Sequence, residues 1–471
     1  MVVVQPQLLV LKYLDKDGLK MNKRFVKPEK HNRRAKKPAL ILAILLLIIT
    51  VFFTVNLISK GFNGKEDLAY KNNKVFIYKE HKNIEFDIAY TNDKSLNKAL
   101  EKNVESIFNA NSEIFLNKDK KISVKLSLNN DKNLASWLFI EETDNFSEVY
   151  GSLVFNTKND EVITYEKILG EDLKGLSMLV RESLAKEEGL LYNRNTYTKT
   201  VPEPDNFKYI MLDKDKFSIL FKRDTFDLDK VFEAKLDYEA VMPYLSDQFL
   251  KFFDKDYIKP DIANVRYIDP HKPMVAMTFD DGPNYPKTVE LGEHFAKHNA
   301  RVTYFVLGSR MDADSETVLD MHNLGHEIAN HSYDHQNYNK IDDAELKRQT
   351  TDVSDKIKAL TKQEVVLIRP PFGSSNESVR AKIESPLILW RVDPLDWKFR
   401  DSAVVYENIK NDIYDGAIIL SHDLYQTTVD ASKKVLDNFS NQYQFLTVSE
   451  MFAYKGVPLN NGELYFEAKG R

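Results

Sequence analysis

The sequence predicts an α/β protein built in series: a C-terminal distorted (β/α)7-type barrel, preceded by two small α+β domains and one N-terminal transmembrane helix. Three observations carry that expectation. Beyond residue 268, short apolar runs alternate with longer amphipathic segments, the rhythm of parallel strands with helices packed outside them. Between residues 67 and 254, apolar residues recur with period two, as half-buried strands require. Residues 38–59 contain no charge and include an unbroken run of Leu, Ile and Ala. At about 1.5 Å per residue, such a stretch spans the roughly 30 Å core of a bilayer.

Residues 1–37 end in a basic cluster, Lys23, Arg24, Lys27, Lys30, Arg33, Arg34, Lys36 and Lys37, against Glu29 alone. Positive charge flanking an apolar span stays in the cytoplasm, so 38–59 reads as an uncleaved single-pass anchor with everything beyond it outside the cell membrane. A cleaved signal peptide is the competing reading. Its apolar region is shorter as a rule, and Asn56 to Lys60 offers no small-x-small site. Met21 stands just ahead of the basic cluster and is an alternative translation start.

The first extracellular unit, 67–156, reads as strands at 74–78, 84–90, 122–128, 136–140 and 147–155, with a helix over 96–115. No metal cluster or nucleophile constellation appears in it. The accessory unit, 160–254, reads as a strand at 161–165, a helix over 173–190, and a hairpin of 207–212 with 216–221 across Asp213, Lys214 and Asp215. Residues 257–273, with Pro260, Pro270 and Pro273, read as a linker. In the C-terminal domain, 268–458, strands are expected at 274–279, 302–306, 327–329, 365–368, 387–391, 417–421 and 445–448. The helices between them fall at 287–298, 315–324, 342–361, 404–415 and 428–439. Active sites of such barrels lie at the C-terminal ends of the strands.

Bulk composition narrows the chemistry. The chain has 471 residues and a net charge of only -5, which gives no electrostatic footprint for nucleic acid. Cysteine is absent, which excludes disulfides and thiolate-ligated zinc. Any metal must be held by His, Asp or Glu.

Two stretches supply such ligands. The apolar run from Met274 ends in Thr278, Phe279, Asp280, Asp281, Gly282 and Pro283. Side chains alternate along a strand, so the adjacent carboxylates should point in different directions, one free to hold a metal and the other to take a proton. His331, Ser332, Tyr333, Asp334 and His335 follow another strand-like run, and a spacing of four would put both imidazoles on one face of a helical turn. Two imidazoles and one carboxylate make a three-ligand site with an open position, the requirement for catalytic metal. His294, His298, His322 and His326 fit no motif and read as surface or core positions.

With these motifs stand Arg369-Pro370-Pro371-Phe372-Gly373, Asp393-Pro394-Leu395-Asp396-Trp397 and Leu420-Ser421-His422, in that order. Together the five resemble the signature of the polysaccharide deacetylase family, also called the NodB-homology or carbohydrate esterase family 4 fold. The anchor and the two preceding units also resemble the layout of the family's streptococcal cell-wall members. The resemblance implies a metal-dependent hydrolase that removes acetyl groups from N-acetylglucosamine in peptidoglycan glycan strands and so protects the wall from lysozyme. Other glycans, such as chitin-like chains, poly-N-acetylglucosamine or xylan, stay open, as does a non-catalytic wall-binding role. It implies that Asp281, His331 and His335 bind one divalent ion, zinc foremost, with cobalt, manganese or iron as alternatives. Asp280 would be the general base, paired with the fork of Arg369. His422 would be the general acid, oriented by Asp396, which raises its pKa. The backbone N–H of Phe372 would help hold the oxyanion. Leu420 and Trp397 would wall the acetyl methyl.

Overall fold

A computed structural model describes residues 71–469, apart from 80–81, 91–93, 111–119, 130–131, 144–145, 160, 255, 263–264 and 365. The basic segment 1–37 and the expected anchor 38–59 lie outside the described residues. Among the described residues, no helix is long and apolar enough to cross a membrane.

The first part is a six-stranded sheet: β1 (Lys71–Lys79), β2 (Lys82–Tyr90), β3 (Lys120–Asn129), β4 (Leu134–Thr143), β5 (Phe146–Asn156) and β6 (Glu161–Ile163), in that spatial order. Only β2 and β3 run parallel, so the chain must cross over between them. Helix α1 (Lys94–Ala110) makes that crossover. Its Leu96, Leu100 and Val104 recur every fourth residue, the spacing of one helical face, and pack into a core with Trp137, Phe139 and Phe155.

Beyond β6 come helices α2 (Lys174–Leu184) and α3 (Arg194–Thr198), then a three-stranded antiparallel sheet of β7 (Ile210–Leu212), β8 (Lys216–Phe221) and β9 (Phe232–Asp237). The hairpin lies where the sequence put it, with Ile210 opposite Ile219. Leu134, Val154 and Ile163 of the larger sheet share one apolar core with Val180, Phe207 and Phe217. Buried Ser136 stitches the two sheets: its Oγ donates to the Leu212 carbonyl (2.9 Å) and accepts from the Leu212 N–H (3.0 Å).

The stretch expected to be a linker is anchored instead. Ile268 is buried, and Arg266 donates through both terminal nitrogens to Glu450 at 2.5 and 2.9 Å.

The C-terminal part is a ring of parallel segments: β10 (Met274–Asp280), β11 (Thr303–Val306), β12 (Glu327–Asn330), β13 (Leu387–Ile388), β14 (Ile418–Ser421) and β15 (Gln444–Phe445). β10 is buried along its whole length, as a parallel strand covered on both faces must be. It pairs with β11 and β14 toward its C-terminal end and with β15 at its start. The ring closes through single bridges, Asn330 to Ile368, Ile368 to Leu387, and Val392 to Ile419. Two expected strands are therefore shorter than the sequence suggested: among the described residues, 365–368 is paired at Ile368 alone, which bridges to both sides, and 387–391 keeps two strand residues. The last expected strand stops at Phe445, because Thr447 and Glu450 form a capping box that starts helix α11 (Val448–Lys455).

Outside the ring lie α4 (Lys287–Lys297), α5 (Ser315–Asn323), α6 (Asp343–Gln349), α7 (Thr351–Thr361), α8 (Asp396–Phe399), α9 (Ser402–Asp412) and α10 (Gln426–Phe439). The sequence predicts one helix over 342–361. The structure breaks it at Thr350 (φ -112°, ψ -79°), whose carbonyl accepts from Asn330 Nδ2 (2.8 Å) as well as from the Ser354 N–H (2.9 Å).

Candidate active site

The site sits where β10, β12 and β14 end. Asp280 is the last residue of β10 and is buried. Asp281 leaves the strand in the left-handed region (φ 71°). That turn swings its carboxylate back, so the neighbouring acids part and then converge on one imidazole. His331 Nε2 lies 3.6 Å from Asp280 Oδ2 and 3.6 Å from Asp281 Oδ1. His335 Nε2 lies 3.7 Å from the same Asp281 oxygen.

The two histidines do not share a helical turn, as their spacing suggested. Residues 331–335 form a bend in which Ser332 (φ 76°) and His335 (φ 65°) are left-handed. Non-glycine residues there carry strain of about 1–3 kcal/mol each, so neighbours must enforce the shape. The His335 N–H donates to Ser332 Oγ (2.9 Å), and the Ser332 N–H donates to Asn330 Oδ1 (2.6 Å). Gln349, fully buried at the end of α6, accepts from the Tyr333 N–H at 2.7 Å and donates to Asp334 Oδ1 at 2.6 Å. The bend also lies on the Gly308 backbone, where a Cβ would come within 2.8 Å of Tyr333.

These residues fit a divalent metal. His331 Nδ1 faces the Arg369 carbonyl at 2.8 Å and must carry the proton, which leaves the Nε2 lone pair turned into the cluster. Burial and the neighbouring His331 hold the His335 pKa below its usual value, which favours the unprotonated ring that a metal ligand needs. Asp281 Oδ1 is sealed from solvent and takes no hydrogen bond from the described residues. One donor atom from each of Asp281, His331 and His335 falls within 4.8 Å of the others. Two imidazoles and a carboxylate leave positions open, as a catalytic centre needs.

Arg369 is fully buried, with its guanidinium 4.0 Å from the Phe305 ring centroid. It does not grip Asp280 with two nitrogens. Nη1 alone donates to Asp280 Oδ1 (2.7 Å) and is shared with Thr278 Oγ1 (2.8 Å). Nε and Nη2 go to the Ile388 and Leu389 carbonyls, whose strand is too short to use them in a ladder. The arginine thus both aims the carboxylate and closes the ring where pairing fails.

Across the mouth, buried Asp396 organises His422. Its Oδ1 faces His422 Nδ1 at 3.0 Å, and its Oδ2 accepts from the His422 N–H (2.7 Å) and from Thr428 Oγ1 (2.8 Å). Burial alone would lower the imidazole's pKa. The hydrogen bond and charge of Asp396, with the charges of Asp280 and Asp281, outweigh it and push the value up to about 9.

At the rim, Phe372 is left-handed (φ 60°) and 67% exposed, and its ring meets the His335 ring edge-on at 4.6 Å. Trp397 is 49% exposed, which rules out core packing as its role, while Leu420 is buried on β14. His322 and His326 are core residues: burial pushes His326 down to about 3, and its Nε2 meets the Gly292 carbonyl at 3.0 Å.

Several supporting residues carry no role in the sequence reading. Thr278, Asn330 and Asp423 stand inside or beside the motifs, so proximity was a usable signal. Gln349 and Thr428 act across 16 and 32 residues of chain with nothing in the sequence to mark them. Asp423 is buried between Gly282 and Thr288. Its Oδ2 accepts from Thr288 Oγ1, and burial pushes its carboxyl up to about 6.

The chain is similar to known proteins over its C-terminal part. A family profile described as "Polysaccharide deacetylase" matches residues 267–385. The peptidoglycan-N-acetylmuramic acid deacetylase PdaC of Bacillus subtilis is 29% identical over 307 residues, covering 61% of this chain and 65% of its own. The peptidoglycan-N-acetylglucosamine deacetylase PgdA of Listeria monocytogenes is 33% identical over 194 residues, covering 41% of each chain. A peptidoglycan-N-acetylglucosamine deacetylase of Bacillus cereus is 32% identical over 193 residues, 39% of this chain and 89% of its own. A solved structure of PdaC is 35% identical over 40% of this chain and 94% of that one, with a TM-score of 0.39. The chain thus spans less than two thirds of the length of PdaC and PgdA.

Proposed function

The chain belongs to the polysaccharide deacetylase family, and on that premise we propose that residues 268–458 hydrolyse the N-acetyl group of N-acetylglucosamine residues in cell-wall peptidoglycan, leaving glucosamine and releasing acetate. The observation that carries the reading is one arrangement: the Asp281–His331–His335 cluster lies between a buried Asp280–Arg369 pair and a buried Asp396–His422 pair.

A divalent ion held by the cluster supplies polarisation of the acetamide carbonyl and makes water acidic enough to lose a proton near neutral pH. Asp280, fixed by Arg369 Nη1, accepts that proton as the water oxygen attacks the carbonyl carbon. The Phe372 N–H donates to the oxygen that gains charge. His422, protonated at neutral pH, delivers its Nε2 proton to the amide nitrogen as the C–N bond breaks. Leu420 and Trp397 hold the acetyl methyl. Zinc suits the donor set best, with cobalt or manganese close behind.

The enzyme is placed on the outer face of the cell membrane by the 38–59 anchor, a reading supported by the basic cluster before it. Each freed amine becomes cationic, and the altered glycan resists lysozyme.

The test is acetate release from chitooligosaccharides and purified peptidoglycan by the full chain, stripped with chelator and reloaded with zinc or cobalt. Release that stops on stripping and returns on reloading is expected. No release with either metal rejects the enzyme and leaves a wall-binding protein. The PdaC match, which covers 61% of this chain, favours N-acetylmuramic acid as a second reading. Mass analysis of digested glycan shows which sugar lost its acetyl group, and acetylated xylan completes the panel.

A further inference from the structure

Away from the catalytic mouth, α4 and α10 pack side by side and bring three donor groups together. His294 and His298 stand four residues apart at the end of α4, where that spacing does place both rings on one face. Their ring centroids are 4.6 Å apart. Asp437, in the last turn of α10, faces both: its Oδ1 lies 2.8 Å from His294 Nε2 and 3.7 Å from His298 Nε2. We propose that His294, His298 and Asp437 form a second divalent transition-metal site, which takes zinc at the protein surface independently of the catalytic cluster.

Three features support the assignment. First, His298 Nδ1 is 2.8 Å from the His294 carbonyl, which can only accept, so the proton sits on Nδ1 and the Nε2 lone pair faces Asp437. Metal-bound histidines are commonly held by this kind of outer hydrogen bond. Second, Zn–N and Zn–O distances near 2.0–2.1 Å in a tetrahedron put donor atoms roughly 3.3 Å apart. The two observed separations, 2.8 and 3.7 Å, bracket that value, so small rotamer changes suffice. Third, nothing else claims the carboxylate. Among the described residues, Asp437 has these two imidazoles as its only basic partners within 4.0 Å. Lys433, one turn before it on the same helix, is held by Glu290 at 2.9 Å. The side chains of His298 and Asp437 are 41% and 51% exposed, which leaves water to complete the coordination.

In the competing account the three residues serve structure alone, with a His294–Asp437 hydrogen bond pinning α4 to α10 and His298 capping a helix end. Titrating zinc alone into the chelator-stripped full chain by calorimetry separates the two. Two equivalents per chain are expected. His298→Ala and Asp437→Asn should each remove one equivalent and leave acetate release unchanged. Asp281→Asn should remove the other equivalent and spare the outer one. If His298→Ala lowers solubility, His298→Gln gives the same reading. No change of stoichiometry in the outer variants, or an outer dissociation constant weaker than about 1 mM, would overturn the proposal. Because the outer site is read by binding, failure of the catalytic reading leaves this test intact.

Discussion

Asp280→Asn keeps the shape of the side chain and its contact with Arg369 but cannot take a proton. Acetate release should fall about 10²- to 10⁴-fold, with zinc binding and melting temperature nearly unchanged. On the proposed mechanism, His422 should set the alkaline limit. Its folded-state pKa lies above the ordinary imidazole value, so the protonated acid is fully present at neutral pH and is lost as pH rises through about 9. The pH–rate profile should drop there, and Asp396→Asn should move that drop toward neutrality. Asp423 has the same sign, acting on stability rather than on rate. Burial raises a carboxyl whose ordinary value is 3.8, so its stabilising effect is complete below that pH and is lost as pH rises through about 6. Asp423→Asn should remove the loss, on the order of 3 kcal/mol, and raise the melting temperature at pH 7. At this scale the residues that the fold brings together were legible, because metal, base and acid chemistry need particular residue types at the ends of strands. The single-nitrogen grip of Arg369 was not legible, since it depends on carbonyls left unpaired at Ile388 and Leu389.

Among the elements, the 331–335 bend shows where sequence periodicity runs out. A spacing of four suits a helix, and at 294–298 that reading is right. At 331–335 the chain instead carries two left-handed residues that no glycine announces. The shape is imposed by Asn330 and Gln349, and the same Asn330 reaches the Thr350 carbonyl at the break in the 342–361 helix. The missed break and the missed bend thus meet at one side chain, Asn330. Gln349→Ala releases the Tyr333 and Asp334 contacts without touching a metal ligand. Zinc affinity at the catalytic cluster should weaken about 10- to 100-fold, measured by competition with a chelating dye. An unchanged affinity would confine Gln349 to packing. The alternation of strands and helices was readable from 274 onward because burial on both faces leaves long apolar runs. Strands of one or two paired residues leave no such trace.

Across the whole molecule, the accessory unit and the ring are fused rather than strung together. Arg181 of α2 is 2% exposed and donates to the Ile268 carbonyl at 2.7 Å and the Tyr197 carbonyl at 2.8 Å. Its charge is met by the rings of Tyr267 and Tyr454, with centroids 5.1 and 5.5 Å away. Tyr197 stacks on Tyr454 at 4.0 Å, and both share a core with Met274 and Phe452. Arg181→Met leaves buried carbonyls without donors and should cost about 3 kcal/mol of stability, read as a lower denaturant midpoint. Removing residues 67–260 should expose this core and cause the ring to aggregate, whatever its substrate. None of this was legible beforehand, because Arg181 and Tyr454 are 273 residues apart and no pattern links them.

The fusion has a directional consequence. Met274, at the start of β10, belongs to the core shared with the accessory unit, while Asp280, at the other end of the same strand, belongs to the catalytic mouth. Seven residues at about 3.3 Å each separate the two by roughly 20 Å. The accessory unit therefore packs on the barrel at the end of β10 opposite the site. A stiff polymer can lie across the opposite opening along its length.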